Sequence, residues 1–252
     1  MSFVFARWPA PRGVFAGYTE SKIRSLDIPR RETNISFSLG EPAAALKQSR
    51  DLLRQRVGLR NIQWIRQVHG NQVLESSSFT VDDQPEADGI WTKEIGSSLA
   101  VTTADCVPVV LTDSLGSFVS ISHFGWRGAF NGLIDSLFDS IPGARGLGYV
   151  AWIGPSICGK CYEVGADVVN QLDKLNKIKF CRLKDVLRDP SAETQDDETR
   201  WFFDLPGYIE HLLIRRRVVV SRSNRCTMHE KGLYSYRRDQ NGLRFATLVW
   251  HV

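Results

Sequence analysis

The amino-acid sequence predicts an α+β fold: a single domain, residues 1–252, of mixed β-sheets packed with helices. Three observations predict it. Segments of strand character alternate with segments of helical period, yet some strands pair as apparent hairpins, so the sheets must be mixed. No internal repeat and no long linker divides the chain. Its 252 residues, 42% apolar and 24% charged, are those of an ordinary globular protein able to bury a core.

The elements follow in order. Residues 41–57 (EPAAALKQSRDLLRQRV) read as a helix, with Pro42 in the first turn and good helix formers after it. Residues 99–103 and 108–112 read as strands, as does 117–123, where Val119, Ile121 and His123 share one face. After a Gly125–Gly128 turn, Leu133, Ile134, Leu137, Phe138 and Ile141 recur at helical spacing. Residues 148–154 read as a buried strand, and 165–178 as a helix carrying Val168, Val169, Leu172 and Leu175. Asp189 to Thr199 (DPSAETQDDET) reads as an acidic, solvated loop. A helix at 206–214 leads to a strand at 216–221, and 244–250 is a closing strand.

Composition narrows function. Lys and Arg number 32 against 28 Asp and Glu, a net charge of +4 that suits a small anionic substrate such as phosphate. Arg215–Arg217 meet the partial negative charge of a helix end. Without aromatic–basic interleaving they do not make a nucleic-acid site, so no nucleic-acid partner is expected. No apolar run approaches the roughly 18 residues of a membrane helix, so no membrane partner is expected. The N-terminal MSFVFARWPAPRG lacks an apolar signal core, and a cytoplasmic location is expected. Five cysteines argue against a disulfide framework and for thiols used in metal binding or chemistry.

Histidine is scarce, with five in the chain, and two have unusual settings. His69 lies in Gln67-Val68-His69-Gly70. His123 ends an alternating strand and opens His123-Phe124-Gly125-Trp126-Arg127-Gly128. Cys106 sits between two apolar strands, behind Ala104 and Asp105. A thiolate and two imidazoles make a zinc ligand set with an open fourth position, the catalytic arrangement. The spacing has no tight pair and equally fits a buried structural cysteine with two hydrogen-bonded histidines. Cys158-Gly159-Lys160-Cys161 is a C-x-x-C, which alone suggests redox chemistry or half a zinc knuckle; no second C-x-x-C occurs.

The strings QVHG (67–70), ADGIW (87–91), TTADCVPVVL (102–111), HFGWRG (123–128), WIGPSICGKCYEVG (152–165) and CTMHEKGLYSYRRD (226–239) occur in this order. Together they resemble the YfiH-like, laccase-domain family of purine nucleoside phosphorylases, long labelled multicopper polyphenol oxidases. The resemblance covers nearly the whole chain. It implies a compact fold related to the catalytic domain of a Rho-deamidating toxin. It implies zinc held by His69, Cys106 and His123, with copper possible at the same site. It also implies phosphorolysis of adenosine, inosine, guanosine and methylthioadenosine, and deamination of adenosine. A purine nucleoside and phosphate would then be the partners.

Three departures stand out. Residues 19–40 match the family only loosely, Phe124 replaces a common Ala, and Cys158 stands where Gly is usual. Phosphorolysis needs cations for phosphate; Arg127, Arg237 and Arg238 are the candidates, because guanidinium forks suit phosphate oxygens. Deamination needs a proton carrier, for which Asp105 is the candidate, though it can equally cap a turn. The trinuclear cluster of a four-copper oxidase would need many more imidazoles than remain after a blue-copper site takes two. Two other readings stay open: a cysteine hydrolase or deamidase with Cys106 as nucleophile and His123 as base, and a partner protein in cell-wall quality control.

Overall fold

A computed structural model describes residues 2–21, 34–36, 43–80, 83–179, 186–188 and 200–252. The acidic loop 189–199, Cys181 and most of the loosely matching 19–40 stretch lie outside the described residues.

Two sheets carry the architecture. The first has five strands in the order β1 (Ser2–Phe5), β2 (Val14–Glu20), β14 (Phe245–His251), β6 (Ser98–Thr103) and β3 (Gln63–Trp64). The second has six: β13 (Val219–Arg222), β9 (Tyr149–Ile153), β7 (Val107–Asp113), β8 (Val119–Phe124), β5 (Gly89–Thr92) and β4 (Val73–Glu75). Both mix parallel and antiparallel pairs: β3 lies parallel to β6 and β13 to β9, while β7 and β8 form a hairpin. A small third sheet joins β10 (Glu163–Val164), β12 (Trp201–Phe203) and β11 (Leu187–Arg188).

Strand alternation builds four layers. Val14, Tyr18, Leu99, Val101 and Val249 of the first sheet meet Ile90, Val110, Val119, Ile121 and Trp152 of the second in one core. The opposite faces go to helices. Ala100, Ala246, Leu248 and Trp250 pack on Leu53 of α1 (Ala43–Val57). Val107, Val109, Leu111, Ala151 and Ile153 pack on α2 (Trp126–Phe130), α3 (Leu133–Ser140), α4 (Ala166–Lys179) and α5 (Leu205–Ile214). Burying each large aliphatic side chain here contributes about 1.5–3 kcal/mol. No helix among the described residues is long and apolar enough to cross a membrane.

The expected helices and strands form, but the expected Gly125–Gly128 turn is itself helical, the start of α2, and one strand is displaced. The strand expected at 216–221 begins at Val219, because Arg215–Arg217 complete the exit turn of α5, with Arg217 at φ 58°. Arg216 donates to the Leu212 carbonyl at that helix end and pairs with Asp135. The N-terminal hairpin β1–β2 and the strand β5 carry no alternation in sequence, since β5 and all of β2 from Ala16 to Thr19 are covered on both faces.

This topology sets the site. Val107 pairs with Phe124, so the start of β7 and the end of β8, the two central strands, meet at one end of the sheet. The β6–β7 turn and the loop after β3 arrive at the same end.

Candidate active site

Each of the three candidate ligands is placed by a different local device. Gln67 acts as a surrogate strand residue: its amide donates to the Thr102 carbonyl at 2.7 Å and its oxygen accepts from the Thr102 N–H at 2.8 Å. That pins the start of the 67–70 loop to β6. The loop then closes around Asp88, whose carboxylate accepts the backbone N–H groups of Val68 (3.2 Å), His69 (3.0 Å) and Gly70 (2.6 Å). His69 takes the left-handed conformation, φ 59°, that this wrap requires.

The same carboxylate reaches His123. Asp88 Oδ1 lies 2.8 Å from His123 Nδ1, and both side chains are buried. With Nδ1 engaged there, Nε2 is the nitrogen left for the cavity. One buried carboxylate therefore holds the His123 ring and the His69 backbone, and its bond to the ring is the outer-shell pattern of a metal-ligating imidazole. Burial opposes ionisation of Asp88, but its bonds from His123, Gly70 and Val68 prevail and hold the carboxyl below its ordinary range.

Cys106 is presented by a strained turn in which Asp105 adopts φ 96°. Its Sγ lies 3.8 Å from His69 Nε2, and the two imidazoles stand edge to face, 4.8 Å between ring centres. The donor atoms of His69, Cys106 and His123 all lie within 4.8 Å of one another. Burial pushes the Cys106 thiol up, but His123 and His69 outweigh it and bring it down to about 6. Burial pushes His123 down, while the Cys106 thiolate and Asp88 raise it to about 9. The glycines of HFGWRG make this approach possible. A Cβ on Gly125 would fall 2.6 Å from His69 Cδ2, and one on Gly128 would fall 2.7 Å from the Gly70 carbonyl oxygen.

The cluster faces a cavity of about 550 Å³. Trp126, Arg127, Tyr162, Tyr236, Arg237 and Arg244 form much of its wall. Arg127 is exposed, its guanidinium stacked 4.4 Å over the Trp126 ring. Arg237 lies over Tyr162 and donates to the Glu163 carbonyl at 2.9 Å. Burial raises the Tyr162 phenol well above its usual range, with the Cys106 charge adding to it.

The structure brings together His69, Cys106, His123, Asp105, Arg127 and Arg237, all of which line the cavity. Arg238 does not join them. Its guanidinium is spent on Asp239 and on the carbonyls of Thr227 and Leu233, where it braces the 226–239 loop. Arg244 lines the cavity in its stead. The Asp105 carboxylate accepts from Thr227 Oγ1 and from the Arg237 backbone N–H at 2.7 Å, so it holds the Arg237 turn in place. Phe124 turns away from the ligands into the helix-side core. Asp88 is the functional residue that motif reading passed over. Its sequence signal was a carboxylate inside the apolar ADGIW segment.

A Cys–His–His cluster at the strand ends of an α+β double sheet, opening on a cation-walled cavity, is the class this fold and site define. The chain belongs to the family described as multi-copper polyphenol oxidoreductase laccase, whose model matches residues 19–252. A Xylella fastidiosa relative named purine nucleoside phosphorylase is 30% identical over 97% of this chain and 95% of its own. The Escherichia coli protein named purine nucleoside phosphorylase YfiH is 27% identical over 99% of this chain and 98% of its own. Among solved structures, Neisseria meningitidis protein NMB0706 superposes with a TM-score of 0.83 at 26% identity, covering 100% of this chain and 99% of that one. Bacillus licheniformis YfiH gives 0.78 at 22% identity, over 95% and 93%.

Proposed function

We propose that this chain is a zinc-dependent purine nucleoside phosphorylase that also deaminates adenosine, with zinc held by His69, Cys106 and His123. The observation that carries the reading is the convergence of those three donors on a cavity walled by Arg127 and Arg237. The relatives' names support its phosphorylase part. The donor set fits the metal: one thiolate, two imidazoles, an outer carboxylate on His123, and an open side toward the cavity. When bound, zinc supplies Lewis acidity and makes water acidic enough to act near neutral pH.

The chain's own residues do the rest. About 550 Å³ is room for a nucleoside and phosphate. Trp126, Tyr162 and Tyr236 offer aromatic surface to a purine. In phosphorolysis a phosphate oxygen bonds to the ribose anomeric carbon and the bond to the base nitrogen breaks, leaving its electron pair on the purine. Arg127 and Arg237 hold the phosphate against this departing charge. Tyr162, kept protonated by burial, is a neutral donor on the cavity wall. Asp105 positions Arg237 through its backbone.

Multi-copper chemistry does not fit these residues. Of the five histidines, only His69 and His123 face the cavity, which provides no trinuclear set.

The direct test incubates purified, zinc-loaded protein with adenosine, with and without phosphate, and separates the products by mass-detected chromatography. Adenine and ribose 1-phosphate are expected only with phosphate, and inosine in both. No product from adenosine overturns the reading. Arg127→Ala is expected to raise the KM for phosphate roughly tenfold or more, the loss of one charge-assisted contact. An unchanged phosphate KM removes Arg127 from that role.

One observation favours a second reading, a cysteine hydrolase: the Cys106 thiol is lowered beside a raised His123, a nucleophile and base in contact. In chelator-treated protein, alkylation of Cys106 by iodoacetamide is expected to rise with pH through about 6 and then level off. An ordinary thiol would rise through about 8.5. Zinc is expected to block the labelling. Labelling at full rate with zinc present favours the hydrolase.

A further inference from the structure

We propose that Cys158, Cys161, Cys226 and His229 form a second metal site, a closed structural zinc site that staples together two walls of the cavity. The C-x-x-C of the sequence has its missing half in Cys226-Thr227-Met228-His229, a C-x-x-H lying 68 residues further along the chain.

Topology brings the halves together. β9 and β13 are parallel neighbours in register, Ile153 beside Arg222, so the segments leaving them emerge side by side. A further bridge pairs Ser156 with Cys226. Each two-residue spacer is a tight turn that returns the second ligand beside the first. The Cys161 N–H donates to the Cys158 carbonyl at 2.9 Å, and the His229 N–H to the Cys226 carbonyl at 3.1 Å.

The four donor atoms all lie within 4.8 Å of one another. Cys161 Sγ is 3.1 Å from His229 Nε2, and the Cys158 N–H donates to Cys226 Sγ at 3.4 Å. All three cysteines are free thiols. Two sulfurs held tetrahedrally on one zinc, each about 2.3 Å from it, stand about 3.8 Å apart, and donors already within 4.8 Å of one another need only a small contraction to share one ion. The constellation therefore has the size of a single ion rather than a multi-iron cluster. Three soft thiolates and one imidazole suit zinc, and four protein ligands with no open position mark a structural site. His229, exposed at the rim, provides the entry side.

The staple has a functional consequence. One ligated segment carries Ile157 and Tyr162 to the cavity, and the other runs on to Tyr236 and Arg237. Cys158, which departs from the Gly usual in the resembled pattern, is a member of the set.

The test is metal stoichiometry on full-length protein dialysed after zinc loading. It is independent of any enzymatic reading. Cys106→Ala, which breaks the first cluster, is expected to retain one zinc per chain. Adding Cys161→Ser is expected to abolish that zinc, whereas adding His229→Cys is expected to keep it. Cobalt-loaded Cys106→Ala is expected to show the thiolate charge-transfer and tetrahedral d–d bands of a three-sulfur site, a readout that needs no second variant to fold. Cys106→Ala protein with no bound zinc and no cobalt–thiolate absorption overturns the proposal. So does a Cys158–Cys161 disulfide in protein purified with reductant, or an iron chromophore in place of zinc.

Discussion

Asp88→Asn is expected to lower zinc affinity at the His69–Cys106–His123 cluster about 10–100-fold, the usual effect of losing an outer-shell carboxylate. The physical reason is a conflict of donors. Oδ1 serves the His69 N–H and His123 Nδ1, while Oδ2 serves the N–H groups of Val68 and Gly70. An amide can place oxygen on only one side. If it serves Val68 and Gly70, its NH2 faces another N–H and forces His123 Nδ1 to accept. The imidazole proton then moves to Nε2, the nitrogen needed by the cavity. Asp88→Ala goes further and leaves three backbone donors and an imidazole without their acceptor. That is expected to cost about 3 kcal/mol or more, lowering Tm by roughly 6–12 °C. Zinc competition titration and thermal denaturation check the two variants. Wild-type zinc affinity in Asp88→Asn would refute the positioning role.

Cys106→Ala is expected to lower phosphorolysis at least about a thousandfold in kcat/KM, a loss of about 4 kcal/mol of transition-state stabilisation. It removes the sole thiolate ligand of the first cluster and the negative charge that sustains the raised His123. Stability is expected to change little, because Cys106 lies at the cavity rather than in a core cluster. Steady-state kinetics beside a melting curve separates the two effects. A nearly wild-type rate in a folded Cys106→Ala protein refutes both the zinc and the cysteine-nucleophile readings, since both require this sulfur.

Single arginines show how much of the site was legible. Arg127 and Arg237 were marked by residue type and neighbourhood, and both reach the cavity. Arg238, adjacent and chemically identical, does not, because Asp239 and four backbone carbonyls capture it on the other side of α6 (Tyr236–Asp239). Arg244 reaches the cavity from the approach to β14, where nothing in the local pattern marked it. Direction on a short helix decides such cases, and a one-dimensional string does not carry it.

Local patterning by itself determined the α+β class, most helices and the central strands β6, β7, β8, β9 and β14, because those depend on periods of 2 and 3.6 within one segment, but it left the edge strands β1, β3 and β4 unmarked. It also marked the scarce residues that lie at strand ends or in the loops beside them: His69, Cys106 and His123. Only the tertiary structure decided that one carboxylate, Asp88, holds His123 by its ring and His69 by its backbone, and that a C-x-x-C and a C-x-x-H face each other beyond parallel strands. The physical reason is range. Periodicity and turn chemistry act over a few residues, whereas donor atoms 68 residues apart in sequence are brought to 3.1 Å by sheet register, which the whole core fixes at once.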